Sequence, residues 1–145
     1  MRTMSRYTLA AAAFGVLIAP LSGCATSDEP AILPVQTDLR PEDANPSIRT
    51  PLTADPTLVN PHPIPFTSWN RLGENKIGVN FETGNPECFA VDATVTETPD
   101  TVTVALRSGT RADSVNKMCT MNMVLGTLEI TLDSPLGDRE VFDAA

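Results

Sequence analysis

Alternation of apolar and polar residues begins near residue 66 and predicts β-strands from there to the C-terminus. Apolar side chains occupy every second position in four runs: Ile77 to Phe81, Phe89 to Val95, Val102 to Leu106, and Leu128 to Leu132. The turn-forming sequence Thr98-Pro99-Asp100 separates the second run from the third. It therefore predicts a β-hairpin with one buried face and one solvated face. A last short strand is predicted from Glu140 to Phe142.

No stretch after residue 23 shows a convincing 3.6-residue apolar period, so no long amphipathic helix is expected. The pattern predicts a single all-β domain over residues 66–145. We expect a small antiparallel β-sandwich, or one strongly twisted sheet, of about five to six strands. A domain of about 80 residues has a thin core, so a covalent cross-link is expected to contribute to its stability.

Proline dominates the segment before this domain. Residues 25–65 contain nine of the thirteen prolines, and five of them, from Pro41 to Pro61, recur every five residues. Proline lacks a backbone N–H and has a fixed φ, which excludes a helix or a central strand. Residues 24–65 are therefore predicted to be an extended or disordered spacer, with a docking strip for a partner as the alternative.

The N-terminus has the parts of an export signal. Arg2 and Arg6 precede an uncharged run from Leu9 to Ala19, which is too short to span a bilayer as a helix. The sequence Leu21-Ser22-Gly23-Cys24 that follows resembles the lipobox of bacterial lipoproteins. Residues 1–23 are therefore predicted to be a signal peptide. Cys24 is predicted to carry the acyl chains that hold the protein on the extracytoplasmic side of the cell membrane; the alternative is a secreted protein with a chance cysteine.

The chain that remains after residue 23 is strongly acidic. Removal of Arg2 and Arg6 leaves 8 basic and 18 acidic residues, a formal charge of 8 − 18 = −10. This charge argues against a nucleic-acid partner and against electrostatic docking on anionic lipid. Partners attracted by charge should be cationic or neutral.

Cys88 and Cys119 remain once Cys24 is assigned to lipid. Two cysteines in an exported chain usually pair, so we predict a disulfide between them. Closure of a loop of about 30 residues would stabilise the fold by roughly 3–4 kcal/mol in the chain-entropy model.

The second half of the chain resembles a group of exported actinobacterial proteins. Many of these are lipoproteins, and they share a small domain of unknown function. The resemblance rests on Cys88, the hairpin from Val95 to Val104, Cys119, and the closing stretch from Leu132 to Asp143 with its PLGDR sequence. It covers roughly residues 66–145 and implies the disulfide and a β fold. It implies no activity.

The sequence Pro135-Leu136-Gly137-Asp138-Arg139 is the most distinctive polar feature. Proline and glycine set a turn, an aspartate can accept backbone N–H bonds within it, and an arginine can bind a carboxylate with two parallel bonds. This segment is interpreted as a structural turn between the last two strands. The alternative is that Asp138 and Arg139 form an exposed recognition point.

The sequence KMCTMNM, residues 117–123, places Met118, Met121 and Met123 beside Cys119. Thioether and thiolate sulfur atoms select Cu(I), so a copper site is one hypothesis. The favoured interpretation is that the methionines pack in the core or in a loop. Pairing of Cys119 removes its thiolate, and a strand here would place Cys119, Met121 and Met123 on one face.

Signs of catalysis are sparse. The sole histidine, His62, lies in the proline-rich segment, and the chain contains no nucleophile elbow, zinc-protease motif or phosphate loop. The acids Asp92, Glu97, Asp133 and Asp138 lie at predicted strand faces and turns, where solvated carboxylates are ordinary. We therefore expect a non-catalytic binding module without a cofactor, acting on another envelope or extracellular protein or on a wall component. The alternatives are a Cu(I)-binding protein and a small envelope hydrolase.

Overall fold

The computed structural model describes residues 37–145. The predicted signal peptide, Cys24 and the first part of the predicted spacer lie outside these residues. The described chain forms nine strands: β1 (Asp38–Leu39), β2 (Thr50–Leu52), β3 (Val59–Pro63), β4 (Phe66–Gly73), β5 (Lys76–Thr83), β6 (Phe89–Glu97), β7 (Thr101–Thr110), β8 (Val124–Thr131) and β9 (Glu140–Asp143). A short 3-10 helix spans Ala112–Ser114. None of the described residues belongs to an apolar helix of membrane-spanning length.

The strands form two sheets. In sheet A, β6 pairs along one side of β7. On the other side of β7, β9 pairs with its first residues and β3 with its last residues. Strand β1 pairs with the outer side of β9. Sheet B has the order β2-β8-β5-β4. The predicted hairpin is confirmed, because β6 and β7 pair without a register shift from Phe89 opposite Thr110 to Glu97 opposite Val102.

The alternation of apolar and polar side chains along the strands explains why the two sheets stack. In β5 the side chains of Ile77, Val79 and Phe81 are fully buried and belong to the shared core, as do Val102, Val104 and Leu106 of β7. Successive strand residues point to opposite faces, so each sheet presents one apolar face to the other. The all-β, sandwich-like prediction is confirmed. Residues 66–145 contain six strands, β4 to β9, which agrees with the expected five to six; three further strands lie before residue 66. The purely antiparallel arrangement is corrected, because β2 pairs parallel with β8, and β9 pairs parallel with β7.

Residues 37–65, here called the strap, belong to the folded unit. The strap supplies β1, β2 and β3, which pair with β9, β8 and β7 respectively. Two isolated bridges add contacts, Glu42 to Trp69 of β4 and Ala54 to Val91 of β6. The strap thus reaches five strands in both sheets. The predicted spacer is therefore corrected for residues 37–65, and the predicted domain start at residue 66 lies too far toward the C-terminus.

The prolines explain how this segment pairs. Pro51, Pro61 and Pro63 lie in strands that pair on one side only. A residue without an N–H is tolerated at a sheet edge, where the missing donor faces away from the ladder. The carbonyl of Pro41 accepts a bond from the Trp69 N–H at 3.2 Å, so a proline still contributes its acceptor. The exclusion of helices and central strands from this segment thus agrees with the structure, which uses the prolines in edge strands.

An ion pair fixes the start of the strap to the last strand. The Asp143 side chain is 1% exposed, and its Oδ2 accepts bonds from Arg40 Nη2 at 2.7 Å and Nε at 3.2 Å. The Arg40 carbonyl accepts the indole N–H of Trp69 at 3.0 Å. Arg40 therefore joins the strap, sheet A and sheet B at one point, and it supplies the only cation within 4.0 Å of Asp143 among the described residues.

We expect Arg40→Gln to lower the free energy of unfolding by about 3 kcal/mol, because it leaves a buried carboxylate without its counter-charge. Urea denaturation of the wild type and the variant measures this difference. Arg111→Gln is the matched control, since Arg111 and its partner Asp113 are both well exposed, and it should change stability by less than about 0.5 kcal/mol. Equal losses in the two variants would contradict the anchoring role of Arg40.

Candidate functional site

The end of the sandwich that carries the disulfide has a concavity of about 540 Å³, here called the methionine groove. Strands β5 and β7 approach it at their last residues, and β6 at its first. Its apolar wall includes Ile64, Phe89, Met121 and Met123, and its polar lining includes His62, Glu82, Thr83 and Ser108. These residues are far apart in the sequence, since they range from the strap to the loop before β8. The groove therefore exists only in the folded chain.

Two hydroxyl groups form a buried contact between the sheets within this lining. Thr83 Oγ1 of sheet B lies 3.4 Å from Ser108 Oγ of sheet A, and both residues are buried. Ser108 Oγ also donates to the carbonyl of Ala90 at 3.2 Å. Because these hydroxyls satisfy one another and the backbone, they stabilise the end of the sandwich without a charge.

The methionines project from the loop into solvent. Residues 117–123 contain no strand, and the side chains of Met118, Met121 and Met123 are 101%, 99% and 71% exposed. Of the two expected positions, core or loop, the structure shows the loop, and the side chains are exposed rather than packed. The strand that would have placed Cys119, Met121 and Met123 on one face is also corrected. Met121 and Met123 line the groove, whereas Met118 does not.

Three contacts hold this loop against the sandwich. The predicted disulfide is confirmed: Cys88 and Cys119 are bonded, with their Cα atoms 6.0 Å apart. Asn85 Nδ2 donates to Thr120 Oγ1 at 2.8 Å, and Ser114 Oγ donates to the Glu87 carbonyl at 2.8 Å. These contacts tie residues 114–120, which directly precede the exposed Met121, to residues 85–88 just before β6.

The disulfide changes the donor set available to a metal. Cys119 offers no thiolate, so a soft-metal site could use only the thioethers and other neighbouring groups. The groove supplies Met121, Met123 and the imidazole of His62, which the sequence placed in the spacer. Among residues 37–145 no group of three or more histidine, cysteine, aspartate or glutamate side chains has the arrangement of a metal site.

Arg139 holds the PLGDR turn from within. Its side chain is 9% exposed and binds Glu97 Oε2 at 2.7 Å. It also donates to the carbonyls of Ser134 at 2.8 Å and Pro135 at 3.0 Å. This geometry supports a structural turn and leaves Arg139 unable to reach an outside ligand. Asp138 is exposed, and its carboxylate makes no hydrogen bond within the described chain.

Glu97 completes this arrangement. Burial alone would raise the pKa of the Glu97 carboxyl, but the bond from Arg139 and the backbone N–H bonds of Asp133 and Ser134 outweigh that effect. The pKa of Glu97 therefore lies below its ordinary value. A carboxyl that stays ionised in this way is a poor general acid near neutral pH.

The remaining candidate acids occupy separate positions. Asp92 accepts bonds from Arg107 on the neighbouring strand β7. Asp133 and Asp138 border, with Glu97, a second concavity of about 770 Å³ around the PLGDR turn.

Comparison with protein-family models, with curated proteins and with solved structures found no match to this chain.

Sequence reasoning selected two methionines of the groove and missed the residues on its other side. His62 and Ile64 lie in a segment that the proline pattern assigned to a spacer. Thr83 and Ser108 lie at ordinary strand positions, and no motif marks them. The parity of Ser108 with the apolar residues of β7, two residues after Leu106, is the one signal that it faces inward.

Stability should depend on pH through Glu97. A folded-state pKa below the unfolded value of about 4.3 stabilises the protein above that pH, and this contribution is lost as the pH falls through the folded-state pKa. Glu97→Gln should therefore flatten the decline of unfolding free energy between about pH 5 and pH 3. Urea denaturation at a series of pH values measures the slope. An unchanged slope in the variant would contradict the role assigned to Glu97.

Removal of the disulfide should destabilise the fold and loosen the groove. For Cys88→Ser combined with Cys119→Ser, we expect the unfolding free energy to fall by roughly 3 kcal/mol, because the unfolded chain gains the entropy of an open loop. Urea denaturation measures the loss. Amide hydrogen exchange should increase over residues 115–123 while β5 stays protected, and uniform exchange across both regions would contradict a loop-specific effect.

Proposed function

We propose that this chain is a lipid-anchored, extracytoplasmic binding module, and that its methionine groove takes an apolar peptide segment of another envelope or extracellular protein. The observation that carries the proposal is the exposure of methionine side chains beside a groove of about 540 Å³. The anchoring part of the proposal rests on the lipobox-like sequence that ends at Cys24. Catalysis forms no part of this proposal.

The chemistry of methionine supports a peptide ligand. The thioether side chain is unbranched and polarisable, so it adapts to apolar partners of different shape, and it is common at promiscuous binding surfaces. Contiguous exposed apolar surface marks interaction sites, and Met121 and Met123 contribute such surface to one groove. In this chain the tethered loop holds Met121 and Met123 in place at the groove, which lowers the entropy cost of binding compared with a free loop.

The charges at the groove favour a neutral or basic segment. Glu82 lies in the lining with its side chain exposed, and no described lysine or arginine belongs to that lining. The acidic chain as a whole would attract a basic partner during encounter. The best fit is therefore a peptide that combines apolar side chains with lysine or arginine.

A Cu(I) ion is a second candidate for the same groove. The observation that favours it is the presence of His62 beside Met121 and Met123 in one lining, since thioether and imidazole groups both suit copper. Titration with Cu(I) under anaerobic conditions tests this candidate. Tight uptake that is lost in Met121→Ala and Met123→Ala would support copper; uptake that survives both substitutions would end that candidate.

Cross-linking in intact cells tests the peptide-binding proposal. The full-length lipoprotein is cross-linked, recovered and compared with the variant Met121→Ser, Met123→Ser. Because both side chains are exposed, this variant should fold normally and lose its specific cross-linked product by at least about tenfold.

Met118→Ser is the matched control, because Met118 is equally exposed but lies outside the groove. It should give the same cross-linked product as the wild type. Equal products from all three proteins would contradict the groove as the binding site, and so would a loss of product in the control alone.

A further inference from the structure

Arg49 stands apart from every other cation of residues 37–145. Seven of the eight basic side chains in that range have a carboxylate oxygen within 4.0 Å: Arg40, Arg71, Lys76, Arg107, Arg111, Lys117 and Arg139. Arg49 has no such partner in the described chain, although 16 of the 18 acids of the sequence lie within it (18 − 2, without Asp28 and Glu29). Its Nε–H is also buried without a hydrogen-bond acceptor.

Arg49 borders a cavity on the face of sheet B opposite the core. This cavity, the Arg49 pocket, has a volume of about 270 Å³ and lies between strap residues 46–52 and the sheet. Its apolar walls include Pro51, Leu52 and Leu72. It shares no lining residue with the methionine groove.

A second unpartnered polar group belongs to the same pocket. Asn80 is fully buried, and its Nδ2 donates to Ser68 Oγ at 3.3 Å and to Asn70 Oδ1 at 3.2 Å. The Oδ1 of the same amide is buried and has no donor in the described chain. The pocket therefore offers one cationic donor and one neutral acceptor, and a buried polar atom without a partner costs about 1–3 kcal/mol.

We infer that the Arg49 pocket binds a carboxylate whose adjacent carbon carries an N–H group, which is the pattern of a peptide C-terminus. A guanidinium binds a carboxylate with parallel charge-assisted bonds. The Asn80 oxygen accepts the last amide N–H of the peptide, and Leu52 and Leu72 contact its small terminal side chain. Capture of a C-terminal carboxylate is a known mode of peptide recognition.

The other charged group of the pocket is compatible with an anion. Glu129 belongs to the lining, but its Oε1 is bound by Lys76 Nζ at 2.7 Å, which offsets its charge. The remaining polar groups are neutral: Ser47, Asn70 and Thr127. The volume of 270 Å³ limits the ligand to one or two residues. Protein C-termini and short wall peptides offer the same chemical group.

Titration with N-acetyl-Ala-Ala, observed by ¹⁵N NMR of the full mature chain, tests the inference. The Arg49 Nε–H and the amide N–H groups of Gly78 and Thr127 should shift with millimolar affinity, as expected for a ligand of this size. The C-terminally amidated peptide should bind at least about tenfold more weakly, because it has lost the carboxylate charge. This comparison uses the unaltered protein and does not depend on the folding of any variant.

Arg49→Gln should weaken binding of the acid by at least about tenfold, whereas Arg111→Gln, at an exposed ion pair elsewhere, should bind as the wild type does. Absence of a shift with the acid would overturn the inference. Equal binding of the acid and the amide would also overturn it. A negative result would not affect the proposal for the methionine groove, because the two sites share no lining residue. With binding established, a C-terminal protein fragment and a wall peptide distinguish the two sources.

Discussion

Unpaired backbone groups along sheet edges are the constraint on which the rest of this structure depends. Strands β4 to β9 alone would form a thin sandwich whose edges expose N–H and C=O groups, and such edges invite pairing with other chains. The strap meets this constraint by pairing with β9, β4, β8, β6 and β7 in turn. Its prolines then give the outer surface of the strap few donors. Arg40, bound to the buried carboxylate of Asp143, fixes where the strap begins.

The strap also contributes residues to both proposed binding surfaces, the Arg49 pocket and the methionine groove. It passes over sheet B at residues 46–52 and encloses the Arg49 pocket there. It then reaches the opposite sheet, where His62 and Ile64 become one wall of the methionine groove. Both surfaces thus contain residues of the strap. Ligand binding at either surface would therefore couple to the strap as well as to the rigid sheets.

The two partly buried arginines Arg139 and Arg49 differ in whether the fold supplies partners for their guanidinium groups. At the PLGDR turn, the guanidinium of Arg139 binds the Glu97 carboxylate and two backbone carbonyls, so its charge and its donors are used in contacts within the fold. At the Arg49 pocket, the same chemical group and the Asn80 oxygen are left without partners in the described chain. The difference decides which arginine can recognise a ligand. The PLGDR motif thus has a structural role, whereas Arg49 and Asn80 lie at positions without a motif.

The sequence by itself determined the strand-forming regions, the hairpin, and the pairing of Cys88 with Cys119, because side-chain alternation, turn residues and cysteine count are local or compositional properties. Its proline pattern also excluded helices and central strands from residues 25–65. Only the tertiary structure decided that residues 37–65 pair with the sheet edges, since edge pairing depends on which strands are left open. Burial of Asn80 and exposure of Met121 were decided at the same level. Whether a residue faces core, solvent or a pocket depends on what covers it, and that comes from distant parts of the chain.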